Sequence, residues 1–72
     1  MDMDTEDVQA TIKRIHNDLD RVFQSRGWLH ILNQTQEPLS LENSLGNALF
    51  FACELKLKVN RVIAQQNHKE AA

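Results

Sequence analysis

The chain has 72 residues, 42% of them hydrophobic and 25% charged, with a formal net charge of −2; this is an ordinary composition for one small domain and leaves no room for a second. Eight basic residues against ten acidic ones argue against a general nucleic-acid binder, whose affinity for a polyanion needs clustered Lys and Arg. A single core of this size supplies at most about 3–5 kcal/mol unless something staples it, and the lone Cys53 closes no internal disulfide while no Cys and His cluster has zinc-site spacing, so oligomerisation is the staple left.

The start, Met1-Asp2-Met3-Asp4-Thr5-Glu6-Asp7, is acidic where a signal peptide is basic and then apolar. No run approaches the roughly 18 apolar residues of a membrane span, and the expectation is a cytoplasmic protein with no membrane contact. The cluster Asp2, Asp4, Glu6 and Asp7 lacks the glycine turn and terminal glutamate of a calcium loop; it reads as a helix start, with Asp4 or Thr5 as cap and Glu6 and Asp7 beside the positive end of the dipole. Val8, Ile12, Ile15, Leu19 and Val22 then follow the four-three-four-three spacing of one helical stripe, which predicts a helix over 5–34. Its seam continues to Arg26 and Leu29. Gly27 lies inside the pattern at a cost of about 1 kcal/mol relative to alanine, which leaves a bend or an early end open there. Past it, Trp28, Ile31 and Leu32 rotate off the first stripe and face a new direction.

Pro38 and the polar stretch before it end this helix and predict a turn over 35–39. Ser40 is a good N-cap, with Glu42 in the following turn, for a second helix over 40–66. Residues 67–72 have no apolar periodicity and predict a frayed tail. So short a link folds two helices back as antiparallel neighbours.

The second helix has too many apolar faces for a lone hairpin. Leu41, Leu45, Ala48, Ala52, Leu55, Val59 and Val62, widened by Phe51 and Ile63, form a seam that matches the first helix and is expected to face it. A second line, Gly46, Phe50, Cys53, Leu57 and Ala64, follows the same spacing on roughly the opposite side, interrupted by Asn60, with Leu49 between the lines. Burying a large side chain such as Phe50 or Leu57 is worth about 1.5–3 kcal/mol, and the economical cover is a second copy of the chain. The fold class expected is therefore all-α: an antiparallel two-helix hairpin, one domain over 1–72, pairing as a homodimeric four-helix bundle. Gly46, Leu49, Phe50, Cys53, Leu57 and Ala64 form its expected dimer interface. A groove for a different protein is the alternative use of that stripe.

No residue set rises to catalysis, and no metal or cofactor is expected. His16 and Asp20 share a helix face, but Lys13, Arg14, Asn17 and Asp18 surround His16, which favours a solvated, salt-bridged surface over a metal or acid–base pair. His30 suits the C-terminal dipole of the first helix, and His68 lies in the tail. Cys53 reads as a small buried hydrophobe without a base to activate it. Lys13, Arg14, Arg21 and Arg26 alternate with Asp18 and Asp20, as intrahelical pairs do. Arg26 occupies a seam position, and Trp28 reads first as an end plug of the core and second as a binding anchor; with Ile31 and Leu32 these two residues form the expected partner-binding set.

The stretch Pro38-Leu39-Ser40-Leu41-Glu42-Asn43-Ser44-Leu45-Gly46-Asn47-Ala48-Leu49-Phe50-Phe51-Ala52-Cys53 resembles a segment of some short bacterial and prophage-borne proteins of unassigned function, in which a capped helix rich in leucine and small residues follows a proline. The resemblance implies a small helical accessory protein and no enzyme. From the residues themselves, the function expected is regulation by protein–protein contact: an adaptor, anti-activator or inhibitor that occludes a larger target such as a transcription regulator or a cellular machine. The rivals are a DNA-binding, nucleoid-associated dimer using Lys13, Arg14, Arg21 and Arg26, and a chaperone or structural subunit of a larger complex.

Overall fold

The computed structural model describes the backbone of residues 3–71 and the side chains of residues 3–66. It is all-helical, with α1 at Thr5–Phe23, α2 at Arg26–Gln34 and α3 at Pro38–Ala71.

Asp4 caps α1 as its short carboxylate permits: its side chain accepts the Asp7 N–H at 2.8 Å, with Glu6 and Asp7 in the first turn. The single helix expected over 5–34 is instead broken at Gln24 and Ser25. The cause is the serine hydroxyl, which satisfies backbone groups on both sides of the break. Ser25 Oγ donates to the Val22 carbonyl at 2.7 Å and accepts the Trp28 N–H at 3.1 Å, while its backbone is extended at φ −84° and ψ 152°. One side chain thus closes α1 and caps α2, a service worth about 1 kcal/mol. Gly27 is not the breaking residue; it falls in the first turn of α2.

The second boundary also differs from expectation. Pro38 opens α3 rather than standing before it, because a first helical position needs no N–H and favours the fixed φ of proline. Ser40 therefore lies inside α3, and the connection shrinks to residues 35–37, where Thr35 Oγ1 accepts the Glu37 N–H at 3.1 Å. At the other end the backbone is helical as far as Ala71; the frayed tail expected over 67–72 falls on residues whose side chains lie outside the described ones.

α1 runs antiparallel along α3. Near its start Gln9 Nε2 donates to Asn60 Oδ1 at 2.8 Å, and at its end Phe23 shares a cleft with Leu45. α2 closes that end, adding Trp28, Leu29 and Leu32 to a cleft of about 310 Å³ whose α3 wall is Glu42 and Leu45. Leu45 is the one hydrophobic side chain among the described residues that reaches burial, at 8% exposure.

The outline is a rod of 56 × 23 × 19 Å with a radius of gyration of 16.4 Å, where a compact chain of this length has about 11 Å. Its accessible surface is 6179 Å², against about 4,600 Å² for a globular monomer of this mass. Taken alone, the described residues make helices but almost no interior. No helix among the described residues is long and apolar enough to cross a membrane.

Candidate interaction surface

At about 100° per residue, the α1 residues turned toward α3 are Gln9, Ile12, His16 and Leu19, all half-buried. Val8, Ile15 and Val22 of the predicted stripe lie to one side of this line and remain exposed. The stripe is therefore wider than its neighbour can cover.

α3 shows the same partial cover. Of its expected seam, Leu41, Leu45, Ala52, Val59 and Ile63 are buried or half-buried. Ala48, Phe51, Leu55 and Val62 are exposed, Phe51 at 63%. In their place Leu49, Cys53 and Lys56 are half-buried, so the expected facing stripe is corrected by a modest rotation of the helix. The physical reason is visible at Asn60. In the sequence it interrupts an apolar line; in the fold it accepts from Gln9 across the helix pair at an exposed edge, so the polar side chain keeps to water while its apolar neighbours turn inward.

Because the helices are antiparallel, the uncovered flanks fall on the same side of the pair. Val8, Ile15 and Val22 of α1 and Ala48, Phe51, Leu55 and Val62 of α3 form one apolar face two helices wide. The clefts between the helices agree with this sense of rotation: Thr5 meets Val59, Val62 and Ile63 on this side, whereas Glu6, Lys13, Lys56 and Asn60 meet on the other.

The residues expected at a dimer interface divide. Gly46, Phe50, Leu57 and Ala64 are exposed, and a Cβ built on Gly46 meets nothing within 4 Å. Leu49 and Cys53 are half-buried. Phe50 stands 64% exposed, its ring edge-on to Phe51 with centroids 5.4 Å apart. Of the expected partner-binding set, Trp28 and Leu32 are half-buried around the Leu45 cleft, while Arg26 and Ile31 point outward. Leu29, which continues the first seam in the sequence, is exposed at the rim of the same cleft.

His16 is not on a solvated, salt-bridged face. It is half-buried on the α3 side of α1, and its Nδ1 is enclosed without a hydrogen-bond partner. Asp20 does not pair with it; its Oδ2 accepts from Gln24 Nε2 at 3.2 Å. An enclosed polar atom without a partner costs about 1–3 kcal/mol, so His16→Leu should raise the free energy of unfolding by about 1 kcal/mol in a urea titration. A loss of stability in that variant would show that the ring nitrogen has a hydrogen bond to give up.

His30 is exposed, and the His68 side chain lies outside the described residues. Arg21 pairs with Asp18 at 3.1 Å and Lys58 with Glu54 at 2.9 Å; both pairs are largely in water and worth tenths of a kcal/mol, roughly 0.5 at most. Among the described residues, no three of His, Cys, Asp and Glu gather closely enough to hold a metal ion. Compared with known proteins, the chain matches no protein-family model, no curated protein and no solved structure.

Proposed function

We propose that this chain is a small regulatory protein that acts by protein–protein contact: it pairs with a second copy as a helical-hairpin homodimer, a four-helix bundle, and occludes a larger protein target. The observation that carries the proposal is the apolar surface left uncovered by the fold. Thirteen large hydrophobic side chains are exposed, against one that is buried, among the described residues. Soluble monomers seldom leave contiguous apolar area of that extent to water, and where they do it marks an interaction surface. The basic residues support the nucleic-acid rival less well, since Arg21 is engaged by Asp18 and the chain's formal net charge is −2.

Arg26 and Ile31, the outward members of the expected set on α2, stand at the end of the rod where Trp28 plugs the helix pair and are the patch that a target would meet. A short amphipathic helix laid into a groove recognises its partner through such a patch, and a groove filled in this way is closed to its normal ligand. The test is affinity capture of the tagged chain from its native cells, with mass determination of what is retained. The wild type should hold a discrete protein in fixed proportion. Arg26→Glu and Ile31→Glu should release it while the helical circular dichroism spectrum is unchanged. Retention by both variants, or no stoichiometric partner for the wild type, contradicts target occlusion by α2.

A further inference from the structure

We infer that the second copy seats on the two-helix apolar face, formed by Val8, Ile15 and Val22 of α1 with Phe51, Leu55 and Val62 of α3, and not on the Gly46, Phe50 and Leu57 line of α3. The inference rests on the homodimer proposed above and names the surface that makes it. Area is the first support. Each chain exposes 6179 Å², roughly 1,600 Å² more than a globular monomer of its mass. Two such chains together carry an excess of about 3,200 Å², within the range that obligate homodimers bury. Only a face broad enough to span both helices can remove so much; a line on one helix cannot.

Shape is the second support. A two-fold contact must be self-complementary, and this face is two helical ridges with an open cleft between them at Thr5, Val59, Val62 and Ile63, so a ridge of an identical copy has somewhere to lie. Charge is the third. Its borders carry charges of both signs: Asp18 is paired with Arg21 and Glu54 with Lys58, while Asp7, Arg14 and Arg61 stand exposed beside Val8, Ile15 and Val62, so two identical borders can meet with unlike charges opposed. The opposite side differs. There α3 is apolar but α1 presents Glu6 and Lys13 beside Lys56, and copies meeting face to face would have to strip water from those groups. The Phe50 and Leu57 line, one helix wide, is left free in the dimer.

Sedimentation velocity of the full chain, with circular dichroism on the same samples, tests this. The wild type is expected as a dimer. Ile15→Glu and Leu55→Glu place a carboxylate inside the assigned contact and should weaken association by at least about a hundredfold. Phe50→Glu and Leu57→Glu should leave the dimer within about threefold of wild type. Loss of helix together with loss of the dimer in the first pair also supports the assignment, provided the second pair keeps both, since a chain this poor in core folds with its copy. A dimer that survives the first pair, or that is lost in the second, overturns the assignment while leaving self-association standing. A wild type that stays monomeric overturns both.

Discussion

Leu45→Ala should lower the free energy of unfolding by about 2–4 kcal/mol. Leu45 is the one side chain among the described residues that the fold buries, at the point where the end of α1, α2 and the start of α3 converge. Truncation removes its transfer free energy and opens a cavity already continuous with the cleft beside Phe23 and Trp28. For a chain with so little else buried among its described residues, that loss is a large share of what holds the three helices together. The comparison is Leu39→Ala, in the first turn of the same helix: Leu39 is 72% exposed, and its truncation should fall within about 0.5 kcal/mol of wild type. Urea titrations of the two variants at one protein concentration decide the matter. Equal costs would mean that Leu45 is not the centre of the packing.

Trp28→Ala is the second large effect, expected at about 2 kcal/mol, below the range for a fully buried tryptophan because the ring is half-buried. Trp28 belongs to α2, and its contribution is to dock that helix against Leu45. The two truncations empty the same cleft, so they should couple: the double variant should cost less than the two singles together by at least about 0.5 kcal/mol. Strict additivity would show that α2 does not pack on Leu45 and that the break at Ser25 leaves it loose. Circular dichroism is the suitable probe, since the variant removes the only tryptophan.

Much of this architecture is legible in the residues, and the parts that are not have specific causes. The spacing from Val8 to Val22 specifies α1, and Asp4 caps it as its chemistry dictates. Periodicity is blind to the break at Ser25, because a stripe continues through a change of axis when a single hydroxyl serves both helix ends. Gly27 is the weaker helix former, yet the stronger local signal is a serine three residues ahead of Trp28, the spacing an N-cap uses. Pro38 has two meanings, terminator and first residue, and only the position of its neighbours decides between them.

The candidate surface is legible in kind and not in placement. Surplus apolar character on α3 is evident from its two lines of side chains, but which flank stays open depends on the rotation of α3 against α1. A polar pair distant in sequence, Gln9 with Asn60, lies at the exposed edge of that contact. The same rotation carries Leu49 and Cys53 inward and leaves Phe51, Leu55 and Val62 outside. His16 illustrates the limit from the other direction. Charged neighbours along the chain suggest a wet surface, yet at 100° per residue it falls beside Ile12 and Leu19 on the side α3 covers.

The most direct measurement is the thermal unfolding midpoint as a function of protein concentration over about a hundredfold range. If two chains supply the interior that one lacks, the midpoint climbs steadily as the protein is made more concentrated. A steep transition at one temperature throughout the range would contradict the account, for it would show that a single copy is a complete folded unit.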